Sequence, residues 1–393
     1  MNLQEKQQQS GSAKGGRSRA KRPLYRAVSD ALRQRLVDGN LAAGSRLPAL
    51  RELASEFSVS TITVRQALQT LEQEGRLHCI PGVGVFVRPT IPLRKATDQI
   101  TIAFATIEIE VNFTAEIARS IEEACQARGW GMQLFNAQGD PHIEARNLSR
   151  VVKSGASGAI ILPTSHPENL EALVQLKLNG FPFVLVDQAI AGLKVDVAES
   201  DHEGGAYLAA EHLLRHGHRR VYMVTQAPVL PSVAARIRGY EKALIDHGIE
   251  PLREWKLWMD EEVTTRGGCE RKRWLGGCHA VLPLLKRRQF PVAVFAHNAY
   301  SGWGVFEACR ELGLNVPRDV SIVCFDDGEF TRALTPPMTA IAQRTSELGR
   351  AAVELLERRL STDNAGEPQL VRLPVDLIAG GSVASLGEGS RGL

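Results

Sequence analysis

Residues 47–87, with the sequence LPALRELASEFSVSTITVRQALQTLEQEGRLHCIPGVGVFV, decide the fold of the N-terminal part of the chain. This stretch predicts two short helices followed by a hairpin. Pro48 opens the first helix, and Ser60 is placed to accept hydrogen bonds from the amides that open the second. Apolar residues recur at helical spacing, which gives each helix one face to bury. They are Leu50, Leu53, Ala54 and Phe57 in the first helix, and Val64, Ala67, Leu68 and Leu71 in the second.

The flanking sequence completes a small domain around these helices. The second helix is expected to end at Gly75, and an alternating run then bends at Pro81-Gly82 and returns, which is typical of a hairpin. Upstream, Leu24–Val37 is predicted as a third helix with its apolar residues on one face. Those residues are Val28, Leu32, Leu36 and Val37, and the returning strand carries Val83, Val85 and Val87.

Polar side chains gather at the solvent-facing start of the second helix, where Thr61, Thr63, Arg65 and Gln66 follow Ser60. Two helices at a sharp angle, with hydroxyl, amide and guanidinium groups opening the second, match the geometry that enters the DNA major groove. The hairpin would lie beside the DNA backbone. Its glycines have no side chains and so allow the protein main chain to come close to the phosphates. A three-helix cap with solvated polar residues is the alternative interpretation.

The same block resembles the winged helix-turn-helix domain of GntR-type bacterial repressors. Ala49 departs from the family, which usually has a capping serine there, and Thr61 stands where an arginine is common, so the operator sequence cannot be taken from relatives. The matching residues are Pro23-Leu24-Tyr25, Gly39, Gly44, Leu47-Pro48, Arg51-Glu52-Leu53-Ala54, Val59-Ser60, Thr63-Val64-Arg65, Ala67-Leu68, Leu71, Glu74-Gly75, Gly82, Gly84 and Phe86-Val87. The DNA contacts that the resemblance implies are Tyr25, Arg51, Ser60, Thr61, Thr63, Arg65 and, at the wing tip, Gly82.

Composition excludes several classes of protein. The chain has 393 residues, 44% of them hydrophobic and 23% charged, which is ordinary for a soluble protein with two or three cores. No apolar run approaches the roughly 20 residues that span a bilayer, and the polar N-terminus is not followed by the apolar segment of a secretory signal. The six cysteines are scattered, which fits a reducing compartment. We therefore expect a cytoplasmic protein with no membrane partner.

Charge is distributed unevenly along the chain. Residues 1–90 carry 14 Lys and Arg against 7 Asp and Glu, which gives this part a net charge of +7 and leaves −4 for the remainder. A basic head on a mildly acidic body suits a first domain that meets phosphates.

From residue 99 the pattern changes to short apolar strands that alternate with amphipathic helices. Such alternation predicts parallel sheets covered on both faces, with ligands beyond the carboxyl ends of the strands. The predicted fold class is α/β, a small N-terminal winged helix-turn-helix domain followed by a two-lobed body with two parallel sheets. The predicted strands are residues 100–106, 132–135, 159–162, 183–186, 221–224, 292–296 and 320–325, and the helices include 115–128, 144–153, 168–179, 203–216, 234–247 and 304–312.

These patterns set the expected domain boundaries. Residues 1–22 form a disordered basic tail, 23–88 the winged domain, 89–98 a proline-containing linker, 99–385 the effector-binding and dimerisation domain, and 386–393 a second disordered tail. The basic end of the first tail, residues 17–22, either adds salt-dependent DNA affinity or acts only as a solubilising leader.

The body resembles the effector-binding domain of LacI-type repressors and the periplasmic sugar-binding proteins. The joint architecture is similar to arabinose repressors of the AraR type. The residues that carry this resemblance are Ile121-Glu122-Glu123-Ala124, Gly129, Gly158-Ala159-Ile160-Ile161, Val184-Leu185-Val186-Asp187, Ala210-Glu211-His212-Leu213, Gly217-His218-Arg219-Arg220, Arg236, Gly239-Tyr240, Ala293-Val294-Phe295-Ala296, Val316-Pro317, Asp319-Val320-Ser321, Phe325-Asp326-Asp327 and Thr335-Pro336-Pro337.

The resemblance implies a set of ligand contacts suited to a sugar. An aromatic face would pack on C–H bonds, and carboxylate, amide and guanidinium groups would pair the hydroxyls. Ala299 replaces the family's aspartate and Gln188 a common arginine, so a modified sugar, another small molecule or a degenerate pocket stay open besides an ordinary pentose or hexose. The implied contacts are Phe113, Asp187, Gln188, Arg236, Asn298 and Gln343.

Signals for enzymes and metals are weak. Asp326-Asp327 can be interpreted as paired catalytic carboxylates, but acids that cap the loop after a strand are the simpler interpretation. Cys269, Cys278 and His279 match no common zinc spacing and fall in or beside an Arg- and Gly-rich insertion at residues 264–277. Walker, nucleophile-elbow and HExxH motifs are missing. We expect no catalysis, no metal and no cofactor.

The sequence therefore predicts a ligand-responsive transcriptional regulator, a repressor that binds a pseudo-palindromic operator as a homodimer, because a two-fold protein imposes two-fold order on its site. The alternatives are a solute-binding protein that carries a basic head, and a regulator whose degenerate pocket responds to a non-sugar signal.

Overall fold

The computed structural model describes residues 23–38, 41, 45–74, 76–80, 84–87, 99–164, 166–260, 273–287, 289–361 and 366–386. Several predicted features lie outside these residues: the tail 1–22, the linker 89–98, the helix end at Gly75, the wing tip at Gly82, Cys269 and nearly all of the tail 386–393. The chain divides into two compact units between Pro92 and Leu93.

The first unit contains the predicted helices and hairpin. The antiparallel hairpin pairs Leu77 with Val87 and Ile80 with Gly84. The segment just before α2 also forms main-chain hydrogen bonds with the second strand of the hairpin. Leu47 N donates to Val85 O at 2.8 Å. The elements are α1 (Leu24–Val37), α2 (Leu50–Glu56), α3 (Thr61–Gln73), β1 (Leu77–Ile80) and β2 (Gly84–Val87).

The helix starts of this unit follow from their capping residues. Ser60 Oγ accepts from Thr63 N at 3.2 Å and so satisfies one of the free amides that open α3. Ala49 offers α2 no such group, and Glu52 instead accepts from the Ala49 amide at 2.9 Å. The apolar faces predicted for the three helices meet in one core, whose buried members include Val28, Leu32, Leu53, Val64, Leu68, Leu71 and Leu77.

The second unit alternates strands and helices as predicted. Its elements, in chain order, are β3 (Thr101–Thr106), α4 (Asn112–Gln126), β4 (Gly131–Asn136), α5 (Pro141–Val151), β5 (Gly158–Leu162), α6 (Pro167–Leu178), β6 (Phe183–Val186), β7 (Asp196–Ser200), α7 (His202–Arg215), β8 (Val221–Thr225), α8 (Pro231–Asp246), β9 (Lys256–Trp258), α9 (Leu275–Leu285), β10 (Val292–Ala296), α10 (Ala299–Leu312), β11 (Val320–Phe325), α11 (Glu329–Ala333), β12 (Thr339–Gln343), α12 (Thr345–Ser361), β13 (Leu370–Leu373) and β14 (Val375–Ile378).

Two six-stranded sheets divide this unit into lobes. The first lobe has the strand order β13-β7-β6-β5-β3-β4, and the second β14-β12-β11-β10-β8-β9. All ladders are parallel except the one between β12 and β14. Central strands such as β5, β6, β10 and β11 are buried at every residue, as expected for sheets covered on both faces.

The chain crosses between the lobes three times. β7 of the first lobe leads into α7, which packs on the second; β12 of the second lobe leads into α12, which packs on the first; and β13 leads directly into β14. The first two crossings begin at the carboxyl ends of β7 and β12, where ligands of parallel sheets bind. Gln343, one of the ligand contacts that the resemblance implies, is the last residue of β12 and therefore lies at the second crossing.

Several elements were not predicted. Strands β7, β9, β12, β13 and β14 had no assignment, because their short or polar runs give little periodic signal. The long helix α12 was also missed, although Leu348, Ala352 and Leu355 recur on its buried face at helical spacing. The assignment of residues 264–277 to one insertion needs correction at its end, since α9 begins at Leu275 and buries Gly276 and Gly277. Among the described residues, none of the helices combines the length and apolar character needed to cross a bilayer.

Candidate functional sites

The start of α3 presents an exposed polar surface. Thr61 and Arg65 on α3, Ser60 at its cap and Arg51 on α2 are all exposed. Thr63 is half-buried, and its hydroxyl lies 2.9 Å from Ser60 Oγ, so it reinforces the cap. Four predicted DNA contacts therefore share one helix start.

The arginines of this unit fall into two groups. Arg33 pairs with Glu74 at 2.6 Å, and Arg35 pairs with Glu56. Arg51 and Arg65 form no ion pair with any described residue of the chain. Unpaired guanidinium groups on an exposed helix face are available for phosphates or guanine edges.

The remaining predicted DNA contacts are Tyr25 and Gly82. Tyr25 lies on α1, half-buried against the core of the domain, and its hydroxyl accepts from Arg26 Nε at 3.2 Å. Gly82 lies outside the described residues. Sequence reasoning missed Ile62, which is 74% exposed beside Thr61 and Arg65.

A second site lies between the lobes of the second unit. Asp187 follows β6, Asp326 follows β11 and Gln343 ends β12, so three polar residues come from the carboxyl ends of strands in both sheets. We call these residues, together with Arg236, His202 and His297, the interlobe cluster.

Arg236 is the centre of the interlobe cluster. Its side chain extends from α8 and is only 7% exposed. Nη1 donates to His297 O at 2.6 Å, Nη2 lies 3.3 Å from His202 Nδ1, and Asp326 Oδ1 lies 3.9 Å from Nη2. The guanidinium stacks on Phe325, with Cζ 3.7 Å from the ring centroid. These contacts fix the orientation of the group before any ligand arrives.

His202 connects the lobes. Its Nδ1 faces a guanidinium donor and therefore accepts, which assigns the proton to Nε2. Nε2 then donates to Asp187 O at 2.8 Å and lies 3.4 Å from Asp187 Oδ1. The sequence analysis did not select this histidine.

Two acids of the cluster have unusual backbone conformations, and the fold shifts the pKa of two of its titratable groups. Asp187 has φ 77° and Asp326 has φ 70°, in the left-handed region that non-glycine residues rarely adopt. Burial raises the pKa of Asp326, against the lowering effects of Arg236 and of the hydrogen bond from Gln343. Burial and the nearby charge of Arg236 lower the pKa of His297 to about 3, so this imidazole is neutral at pH 7.

Three buried polar atoms of the cluster have no hydrogen-bond partner among the described residues. They are Arg236 Nε, Asp187 Oδ1 and Gln343 Oε1, one donor and two acceptors. An unsatisfied buried polar group costs roughly 1–3 kcal/mol, so a ligand that supplied the missing partners would gain affinity. The other half of the Gln343 amide donates to Asp326 Oδ1 at 2.6 Å.

The remaining predicted ligand contacts have structural roles. Gln188 is buried, donates to Pro163 O at 2.7 Å and accepts from Ser232 Oγ at 3.1 Å. Asn298 caps α10, with Oδ1 accepting from Ser301 N at 2.8 Å. Phe113 is half-buried at the start of α4 and packs against the core of the first lobe. The structure thus brings together Asp187, Arg236 and Gln343.

The two adjacent acids after β11 have different roles. Asp327 accepts from Thr331 Oγ1 at 3.2 Å and pairs with Arg332 at 2.5 Å, as expected of an acid that caps a loop. Asp326 was expected to cap the same loop, but its side chain instead contacts Arg236 and Gln343 in the interlobe cluster. Their pairing as catalytic carboxylates has no geometric support, since each is bound to its own partners.

A cavity of about 610 Å³ adjoins the cluster. Gln188, His202 and Ser232 contribute to its wall, and its outer part contains the ion pairs of Glu203 with Arg238 and of Glu199 with Arg372. Its volume is in the range of small-molecule sites.

Two of the three candidate metal ligands, Cys278 and His279, lie in different environments. Cys278 is buried in the core of the second lobe, and burial raises the pKa of its thiol to about 11. His279, the next residue, is exposed. No group of three or more metal-ligating side chains occurs within the described ranges.

Comparison with known proteins decides what the two units are. Residues 24–87 match the family model described as bacterial regulatory proteins of the gntR family, and residues 210–383 match a periplasmic binding protein-like domain. The chain is a transcriptional regulator with one part similar to the gntR family and another similar to periplasmic binding proteins. Its fold and its domain order agree with the resemblance inferred from the sequence.

Two curated relatives span almost the whole chain. This regulator is 28% identical to the arabinose metabolism transcriptional repressor of Geobacillus stearothermophilus over 361 residues, which cover 89% of this chain and 96% of the relative. It is 26% identical over 348 residues to the HTH-type transcriptional repressor PurR of Haemophilus influenzae strain PittEE, covering 86% and 100% of the two chains.

Solved structures share the fold. A CelR–cellobiose complex, also a transcriptional regulator, aligns with a TM-score of 0.64 at 22% identity, over 86% of this regulator and all of that chain. A LacI family transcriptional regulator from Enterococcus faecium with bound ribose aligns with a TM-score of 0.61 at 27% identity, over 73% and 99% of the two chains.

Proposed function

We propose that this regulator is a repressor that binds a pseudo-palindromic operator as a homodimer, and that a sugar or sugar derivative in the interlobe cluster controls its operator affinity. Residues 23–88 form the DNA-binding domain in this proposal, and residues 99–385 bind the effector and dimerise. Arg51, Ser60, Thr61, Thr63 and Arg65, with Tyr25 and Gly82, contact the operator.

One observation carries the ligand part of the proposal. Arg236 Nε, Asp187 Oδ1 and Gln343 Oε1 are buried at the junction of the lobes without a hydrogen-bond partner in the part of the chain that the structure describes, and they offer both donor and acceptor capacity. A polyhydroxyl ligand supplies both kinds of partner from each hydroxyl group. Arabinose, ribose and cellobiose, which appear in the names of relatives or their complexes, are the first candidates.

The response to ligand follows from the position of the cluster. Asp187 belongs to the first lobe and Arg236 and Asp326 to the second, so a ligand that bridges them favours one lobe arrangement. A ligand shifts operator affinity only as far as it binds the two arrangements differently. The crossings at Ser200–His202 and Gln343–Thr345 would absorb the lobe rotation.

Thermal melting of the full-length protein with L-arabinose, D-ribose or cellobiose tests the ligand. A ligand that binds the folded state raises the melting temperature with concentration. A selected operator fragment tests the regulation in gel shifts with and without the stabilising sugar. A sugar that raises the melting temperature without changing the gel shift would contradict control of DNA affinity.

The alternative of a non-sugar signal has one observation in its favour. Gln188 stands where an arginine is common in the family it resembles, and both ends of its amide already form hydrogen bonds. Fewer free donors reduce the capacity for a polyol, so failure of all three sugars, with intact operator binding, would support this alternative.

A further inference from the structure

One large apolar side chain stands on the exposed face of α3. Ile62, the second residue of the helix, is 74% exposed. The core of the domain is complete without it, since Val64, Leu68 and Leu71 supply the buried face of α3. A β-branched residue also has lower helix propensity than most alternatives, so neither packing nor helix formation explains its presence here.

Ile62 belongs to a strip of side chains that points away from the core. Arg65, Gln66 and Gln69 follow it at spacings of three, four and seven residues, which places them on one side of the helix. Thr61 completes the strip at the helix start, and all five residues are exposed. The strip therefore combines one guanidinium, two amides, one hydroxyl and one branched hydrocarbon.

Each kind of group on the strip has a partner in the major groove. Arginine pairs with guanine O6 and N7, and glutamine with adenine N6 and N7. The C5-methyl group of thymine is the one apolar feature of base edges in that groove, and aliphatic side chains contact it. A cytosine presents an amino group in the same region, which an isoleucine cannot satisfy.

We propose that Ile62 packs against the C5-methyl group of a thymine in each operator half-site and so selects that base. This inference rests on the proposed function, because it needs α3 in the major groove. It adds a specificity residue that the sequence did not reveal, and it gives the operator one required feature despite the departure at Thr61.

The experiment begins with an operator selected by the full-length protein from a library of random DNA duplexes. Each thymine of the half-site is then replaced by deoxyuridine, which removes only the methyl group. We expect one such position at which wild-type affinity falls roughly fourfold per half-site, the effect of exposing one buried methyl group. Ile62→Ala should lose a similar factor on the thymine duplex and should no longer distinguish thymine from deoxyuridine there.

Two further variants test whether the preference for thymine depends on Ile62 in particular. Arg65→Ala should weaken binding but keep the wild-type preference for thymine at that position, because the hydrocarbon of Ile62 is still present. Gln73→Ala changes an exposed residue at the far end of α3 and should keep both the affinity and the preference. Circular dichroism checks that Ile62→Ala retains the helix content of the wild type.

The outcomes separate this inference from the function on which it rests. A selected site without any methyl-sensitive thymine, or an Ile62→Ala protein that retains the preference, overturns the role of Ile62 while operator binding stands. Loss of dimerisation in Ile62→Ala, measured by sedimentation, would assign the side chain to a contact with a second copy and also overturns it. Failure of the wild type to select any sequence overturns both.

Discussion

The start of α3 and the interlobe cluster use similar groups, but they are assembled in different ways. Ser60, Thr61 and Arg65 are neighbours in sequence and are exposed, so the helix geometry alone brings them together. Asp187, Arg236 and Gln343 are distant in sequence and meet only because two sheets place their strand ends at one junction. Local sites are therefore insensitive to the rest of the fold, whereas the cluster couples ligand contact to stability.

The largest effect is expected for Arg236→Ala, which tests the interlobe cluster. Removing the guanidinium leaves the half-buried Asp326 without the cation that lies 3.9 Å from Oδ1, and Phe325 without its stacked partner. We expect a loss of roughly 3–5 kcal/mol in unfolding free energy, the range for breaking a buried ion pair, together with the loss of ligand response. Urea denaturation of the full-length protein measures the first effect, and gel shifts with and without the stabilising sugar measure the second.

Arg238→Ala is the matched control on the same helix. Its side chain is 59% exposed and pairs with Glu203 on the surface, so the free energy of unfolding should stay at the wild-type value. Equal destabilisation by both substitutions would remove the distinction between the cluster and the surface of α8.

The pH dependence of stability tests the buried part of the cluster through His297. Its pKa falls from 6.5 to about 3 on folding, so the unfolded chain binds more protons within this window. Stability therefore rises with pH through the window and is lost as pH falls below 6.5. At about pH 5 the loss should be roughly 2 kcal/mol.

His297→Gln should remove that loss, so the difference between the two proteins grows as the solution is acidified. Chemical denaturation at a series of pH values measures it. His279→Gln, at an exposed position, should follow the wild-type curve. A His297→Gln curve parallel to that of the wild type would show that this imidazole is not held neutral by the fold.

Arg65→Ala tests the site at the start of α3, the exposed member of the comparison. This exposed arginine has no ion pair among the described residues, so its removal should not change the stability of the folded domain. We expect operator affinity to fall roughly tenfold, about 1.4 kcal/mol, with unchanged melting temperature and ligand affinity. A binding isotherm and a thermal melt on one preparation decide it, and a lower melting temperature would contradict a purely local role.

The smallest effect is expected at the helix cap. Ser60→Ala removes the acceptor for Thr63 N and should cost about 1 kcal/mol of winged-domain stability, whereas Ser60→Gly should cost only a few tenths. Comparing the two variants by thermal melting separates capping from any DNA contact, since both lack the hydroxyl. Equal melting temperatures for all three proteins would contradict the capping role.

Sequence patterns predicted the elements with a strong period and missed those without one. The helix Leu24–Val37 and the strands Phe183–Val186, Val292–Ala296 and Val320–Phe325 were predicted to the residue. Strand β13, with exposed alternate residues, and β14, antiparallel to its neighbour, gave no such signal. The observed ends of helices differ from the predicted ends by a few residues, because Pro231 and similar first-turn residues extend a helix beyond its apolar stripe.

The predicted ligand contacts show the same limit. The sequence identified Arg236 and Asp187 by resemblance, and the structure places both in the interlobe cluster. It did not identify His202 or His297, because a lone histidine near a strand end carries no periodic or motif signal. It also did not indicate that the amide of Gln188 is engaged by Pro163 and Ser232.

The sequence by itself determined the winged domain, the alternation of strands and helices, and the residues at the start of α3, because each depends on spacing within one or two turns of chain. The tertiary structure alone decided which polar groups meet between the lobes and which of their atoms lack partners. The reason is physical: hydrogen bonds and charges act over a few ångströms in space, and only the order of strands in the two sheets brings residues of such different sequence position to that distance.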